Sequence, residues 1–466
     1  MFIKQLYTGC LSEAAYYIDS NGEAAVIDPL RDTDVYIALA RERKAEIKYI
    51  FETHFHADFV SGHLDLQQKS GATIVYGPHT KTRFPIHLAS EGETFRIGDL
   101  TLKAIHTPGH TLESTCYLLS DEEGNPHCLF TGDTLFVGDV GRPDLSSGDL
   151  SKEDLASYLF DSLQKLKQLP DSLIVYPAHG AGSACGKHLG SETSTTIGEQ
   201  KNGNYAMQAT DRVEFIDRVT EGLEAPPRYF QTSARINSQG YEALDKIIAQ
   251  SNRPLSLKDF KQCVKQGAQI LDTRSPGLFA EGFVTGAINI GLKGRFAEWV
   301  GMLVPYDKSV VLVTDPGEEE ETIVRMARVG LEHVKGFLKG GFQVWRDAGE
   351  PMDMVIGIEP DELAMDMQFD NKLLIVDVRR PVEFADGHVR GALNLPLENL
   401  ADPGSMSRLN ENQNLYISCH SGYRSMIACS LLKRQGFHNL HNINGGFKEI
   451  REYPQLHIVK DKQVLN

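Results

Sequence analysis

The chain has 466 residues, 41% apolar and 24% charged, the profile of an ordinary globular protein too long for a single hydrophobic core. Its formal net charge of −16 argues against nucleic acid as a partner, and no window reaches the ~18 consecutive apolar residues of a membrane span. The opening MFIKQLYTGC lacks the apolar run of a secretory signal, and the seven scattered cysteines contain no C-x-x-C pair, so the expectation is a cytoplasmic chain with reduced thiols.

In chain order, YYIDSNGEAAVID predicts a hairpin turning at Asn21-Gly22, a pair that tolerates positive φ, and VYIALARER predicts an amphipathic helix. KYIFETH, TIVYGP, LTLKAIHTPGH, HCLFTGD and SLIVYPAH each predict a strand running into a loop, while GHLDLQQKSG and KEDLASYLFDSLQKLKQL predict further amphipathic helices. The alternation predicts an α/β domain over residues 1–250. Near its end GLEAPPRYFQTSARINSQG, with Pro226 and Pro227, has loop composition.

Four of the strand-end loops, THFHAD, TPGHT, TGDTLF and YPAHG, bring candidate metal ligands: His54, His56, Asp58, His110, Asp133 and His179. Loops rooted in strand ends can converge on one point while the strands keep them rigid. Imidazole and carboxylate suit Zn, Fe or Mn, and the absence of Cys from the set argues against a thiolate site. Phe59 follows H-x-H-x-D, so a side chain with no lone pair stands where a second metal would want a ligand. Spacing alone leaves the ligand set open, because His54, His56 and His110 would make an ordinary zinc site. His63, His79, His87, His106 and His188 read as surface or packing residues.

The second half repeats itself. LDTRSPGLFAEGFVTGAIN aligns with VDVRRPVEFADGHVRGALN, Asp377 falling 105 residues after Asp272, and the same offset pairs Gly317 with Gly422 and the two GGF triplets. Two copies of one α/β domain are expected, over 254–355 and 357–466. In the second, NLYISCHSGYRSMIACSLLKRQG predicts strand, tight turn and helix, with Cys419 in the turn. Backbone N–H groups at a helix start and the nearby Arg424 favour a thiolate nucleophile there. The spacing is C-x4-R, one residue shorter than the C-x5-R loop that wraps a phosphate. The offset puts Thr314 and Glu319 at the positions of Cys419 and Arg424, inside TDPGEEEE, so the first copy is expected to be inactive and to space, pack or dock.

The motifs H-x-H-x-D, PGHT, GDTLF and the later His, in this order, resemble the metallo-β-lactamase fold. The fuller set THFHADF, HTPGHT, GDTLFVGDVGR and YPAHG, followed by the C-x4-R loop with DVR and GHVRGALN upstream, resembles persulfide dioxygenases fused to rhodanese domains. That resemblance implies an α/β architecture, an αββα sandwich followed by two rhodanese-like domains. It implies a mononuclear Fe(II) cofactor on His54, His110 and Asp133, with His56, Asp58 and His179 orienting ligands or moving protons. Arg142 matches a position that grips the carboxylate of a carrier thiol, whereas Ala181 stands where the family has a Tyr, and Cys185 follows closely. The implied function is oxidation of a low-molecular-weight thiol persulfide by O2 to sulfite and thiol, with sulfane-sulfur transfer among persulfide, thiosulfate and sulfite through Cys419, in sulfide detoxification or sulfur assimilation. The alternative is a Zn-dependent thioester hydrolase of the glyoxalase II kind carrying rhodanese repeats. The expected partners are small molecules, with neither nucleic acid nor membrane, and the sequence is compatible with a homo-oligomer.

Overall fold

The computed structural model describes residues 1–145 and 150–461. They fold into two compact units, Met1–Ile247 with Met326–Gly330, and Ile248–Arg325 with Leu331–Asn466.

The first unit is built on two six-stranded sheets. Strands β1 (Phe2–Thr8), β2 (Glu13–Ser20), β3 (Glu23–Ile27), β4 (Glu46–Phe51), β5 (Thr73–Tyr76) and β6 (His87–Leu88) lie in sequence order in one sheet. The other comprises β7 (Thr94–Ile97), β8 (Leu100–His106), β9 (Thr115–Ser120), β10 (Pro126–Gly132), β11 (Ile174–Pro177) and β12 (Thr195–Thr196), again in order from one edge to the other. The β2–β3 hairpin turns at Asn21 (φ 45°) and Gly22 (φ 81°), as the sequence predicts.

Every residue of β2 is buried, and its two faces serve different cores. Ala14, Tyr16 and Ile18 pack with Leu102, Tyr117 and Phe130 of the second sheet. The alternate residues Ala15 and Tyr17 face the other way, toward Tyr36 and Leu39 of the helix Asp34–Arg43 and Leu66 of the helix His63–Ser70. A strand alternates sides at every residue, so a doubly buried strand needs a covering layer on each face. On the far side, Leu118 and Leu129 pack with Leu159 and Leu163 of the helix Lys152–Leu166, which starts in a capping box between Ser151 and Asp154. The result is a helix–sheet–sheet–helix sandwich. Among the described residues, no helix is long and apolar enough to cross a membrane.

One segment departs from expectation. Residues of the loop-like stretch after Pro227 form a helix, Phe230–Gln239, which buries Phe230, Ser233 and Asn237. Spacings of three and four residues put these on one face, and the polar identity of two of them hides the pattern from a hydrophobicity reading.

Apart from Met326–Gly330, the second unit contains the two repeats, each with a five-stranded parallel sheet of matching order. In the first the order is Pro254–Leu255, Val334–Leu338, Val310–Val313, Gln269–Asp272, Ile288–Asn289; in the second it is Ile356–Ile358, Leu440–Ile443, Asn414–Ser418, Leu373–Asp377, Leu393–Asn394. Shared residues make shared bonds. Arg274 forks onto Asp272 and donates to the Gly282 carbonyl, as Arg379 does to Asp377 and Gly387, and Asn289 and Asn394 each donate to the carbonyls of their own Asp and Arg. The 105-residue offset is therefore a structural repeat as well as a sequence one.

Candidate metal centre and cysteine loop

The candidate ligands follow the C-terminal ends of β4, β8, β10 and β11, which places them together at one edge of the sandwich. The Nε2 atoms of His54 and His110 lie 3.7 and 3.3 Å from Asp133 Oδ2. One ligand atom from each of these three residues falls within 4.8 Å of the others, and all three residues are buried. His110 donates from Nδ1 to the Arg142 carbonyl at 2.9 Å. His54 Nδ1 meets Thr53 Oγ1 at 2.9 Å, and the Thr53 hydroxyl donates to Asp28 Oδ2. Both rings are thus fixed from behind with Nε2 turned to the cluster, the arrangement that orients an imidazole for a metal. Burial, with the neighbouring histidines adding to it, pushes the His54 pKa well down, which favours the neutral form that can ligate.

Among the described residues, neither oxygen of Asp133 has a hydrogen-bond partner. A buried carboxylate left this way is costly unless a cation meets it, so this donor set fits a bound metal ion. His179 borders the same carboxylate: its Nδ1 donates to the Ser12 carbonyl and its Nε2 lies 3.6 Å from Asp133 Oδ1 and 3.5 Å from Asp58 Oδ2.

His56 is held differently. Its Nε2 lies 3.1 Å from Asp28 Oδ1 and 3.4 Å from Glu52 Oε2, and its ring stacks on Phe59 with centroids 4.3 Å apart and planes at 28°. Burial opposes charge on this ring, but Asp28 and then Glu52 outweigh it and hold its pKa well above the ordinary imidazole range. Phe59 therefore fills the position after H-x-H-x-D as a packing partner of His56. His56 nevertheless shares a second potential ligand group with Asp58 and His179, and Cys185 shares a third with Asp133 and His179. Burial, and next the charges of Asp58 and Asp133, push the Cys185 thiol well up, away from the thiolate.

Arg142 is buried, and its guanidinium forks onto Asp144 at 2.8 and 2.7 Å. A carrier carboxylate would have to displace Asp144 to take that fork. Several residues that shape the site have no role assigned by the sequence motifs: Asp28, Glu52, Thr53 and, above all, Asn237. From the helix Phe230–Gln239, Asn237 donates to the carbonyls of His56 and Phe59, 2.8 Å each, and accepts from Ser61 N–H at 2.9 Å. His63 is fully buried and lies 3.3 Å from Glu52, which also accepts from Ser61.

In the second unit, Cys419 sits between the strand Asn414–Ser418 and the helix Tyr423–Arg434. Gly422 N–H donates to Cys419 Sγ at 3.1 Å, and Ser425 Oγ, which donates to Asn442 Oδ1, lies 3.5 Å from the sulfur. Arg424 forks onto Glu383 at 2.6 and 2.7 Å, so part of its charge is met before any ligand arrives.

The family model of the metallo-beta-lactamase superfamily matches residues 8–179, and that of the rhodanese-like domain matches 256–348 and 359–453. A 2.1 Å crystal structure of a metallo-beta-lactamase from Staphylococcus aureus subsp. aureus COL is 33% identical, covering 72% of this chain and 99% of its own, with a TM-score of 0.66. The chain belongs to the metallo-beta-lactamase superfamily. This superfamily domain is followed by rhodanese-like domains, as the motifs led one to expect. A probable hydroxyacylglutathione hydrolase of Schizosaccharomyces pombe is 29% identical over 44% of this superfamily member and 86% of its own length. ETHE1 from Myxococcus xanthus is 31% identical in sequence over 51% of this chain and 98% of its own, with a TM-score of 0.44.

Proposed function

We propose that the chain oxidises a low-molecular-weight thiol persulfide with O2 at a mononuclear Fe(II) site and transfers sulfane sulfur through Cys419. The observation that carries this reading is the sorting of the histidines. His54, His110 and Asp133 form a compact group of two imidazoles and a carboxylate, while His56 turns its Nε2 to Asp28 and Glu52 under the ring of Phe59. A facial triad of that composition, when it holds Fe(II), leaves coordination positions open to a persulfide sulfur and to O2. The chain's own part is positional. Thr53 and the Arg142 carbonyl fix the two rings, and His179 faces Asp133 Oδ1.

At the second site, Cys419 as thiolate attacks the outer sulfur of thiosulfate. The S–S bond breaks, sulfite leaves with the electron pair, and a cysteine persulfide remains beside the Gly422 N–H. The first repeat has Thr314 at that position, a far weaker nucleophile, and carries no such step.

A second reading, a Zn-dependent thioester hydrolase of the glyoxalase II kind, is favoured by the group His56, Asp58 and His179, which still offers a second metal three ligands. Metal analysis with O2 uptake separates the two. The expected result is one iron per chain and persulfide-dependent O2 consumption; two zincs per chain with thioesterase activity would overturn the oxidase. A Cys419→Ser chain is expected to keep O2 uptake and lose sulfur transfer from thiosulfate to thiols.

A further inference from the structure

The copy without a nucleophile touches the reactive loop of the other copy inside the second unit. Tyr423 stands between Gly422, whose N–H reaches Cys419 Sγ, and Arg424, which forks onto Glu383. Its hydroxyl donates to the carbonyl of Gly291 in the first repeat at 2.7 Å. Its ring lies against the same loop. A Cβ on Gly291 would come within 3.3 Å of the ring and one on Gly294 within 3.2 Å. Gly294 also has φ +132°, where L side chains are strained, so this loop is shaped to receive a ring.

The receiving loop is itself pinned. Leu292 N–H donates to the Thr273 carbonyl at 2.9 Å, and the Leu292 carbonyl accepts from Arg325 Nη1 at 2.8 Å. Arg325 is held in turn by Glu321 at 2.5 Å. Both residues lie on the helix Glu319–Ala327, the counterpart of the helix that carries Arg424. A second tie runs from the Asn289 N–H to Ser430 Oγ, further along the reactive helix, at 3.0 Å. Two repeats joined merely as spacers need no tyrosine seated on glycines beside the nucleophile.

We propose that the silent repeat is a working part of the Cys419 site: its loop 291–294 clamps Tyr423, and Tyr423 is a positioning residue that holds residues 422–424 in register with the sulfur. This rests on the sulfurtransferase reading of Cys419. The clamp acts on alignment, and small misplacements of a reacting group cost rate while leaving substrate binding largely intact.

The test uses the full chain with Tyr423→Phe, which keeps the ring and loses one hydrogen bond, and Gly294→Ala, which disturbs the ring from the opposite repeat. Two readouts are taken: steady-state transfer from thiosulfate to a thiol, and the rate of Cys419 alkylation by iodoacetamide at fixed pH, followed by mass spectrometry of its peptide. Tyr423→Phe should lower kcat about fivefold, the worth of one ordinary hydrogen bond, with KM for thiosulfate within twofold. Gly294→Ala should lower it more, and both should change the alkylation rate when assayed well below the unfolding temperature of each variant, where circular dichroism shows the chain fully folded. Variants whose kcat and alkylation rate match wild type overturn the clamp, as does a loss carried entirely by KM. Wild-type and Cys419→Ser chains that transfer sulfur equally well would instead sink the underlying reading of the cysteine.

Discussion

Phe59 is fully buried and stacked on His56, and Arg424 is half-buried and forked onto Glu383; each side chain fixes the state of a neighbour. Glu383 has a pH consequence. Burial raises its pKa, but the Arg424 fork outweighs burial and holds the carboxyl below its usual range. A depressed carboxylate contributes stability that is fully present above its unfolded pKa, about 4.3, and is lost as pH falls through the lower folded value. Thermal unfolding of wild type against Glu383→Gln should therefore show a constant gap from about pH 7 to pH 5 that narrows as the pH falls below the unfolded value. A gap that widens on acidification would contradict the pairing.

At the scale of elements, the helix Phe230–Gln239 matters most for the metal centre. Asn237 closes three backbone hydrogen bonds on the loop that carries His56, Asp58 and Phe59. Asn237→Ala leaves two carbonyls and one N–H unpaired in a buried place, a cost of about 1–3 kcal/mol, read by chemical denaturation. The metal should be retained roughly tenfold less tightly, measured by chelator competition, because the loop that orients the ligands loses its brace. An Asn237→Ala chain with unchanged stability and metal retention would show the loop to be held by β4 alone. The opposite case is the Asn21-Gly22 hairpin, where two adjacent residues dictate the turn and no distant partner is needed.

At the scale of the molecule, the two proposed chemistries fall on two compact units and would use different means, a metal-ligand cluster and a thiol. Removing metal with a chelator should abolish O2 uptake while thiosulfate transfer through Cys419 stays within twofold. Loss of a ligand bound only by the folded state also lowers stability, by about 3 kcal/mol at a hundredfold excess over Kd, so calorimetry should show a transition moving down on chelation. Equal loss of both activities would mean that the sites depend on one another.

Much of this was legible in the chain itself because it is local or periodic. Alternating strands and helices mark an α/β domain, its sandwich form being implied by the family resemblance; ligand residues fall just past strand ends, and a constant 105-residue offset marks the paired domains. The choice between His54 and His56 was not legible. Both stand at the same loop with the same side chain, and they differ in what lies behind the ring: Thr53 for one, Asp28, Glu52 and Phe59 for the other. Asn237 reaches Phe59 from 178 residues away and Tyr423 reaches Gly291 across 132. Side-chain orientation in a buried site is set by whichever partners the fold brings within hydrogen-bond range, and no spacing along the sequence encodes those distances.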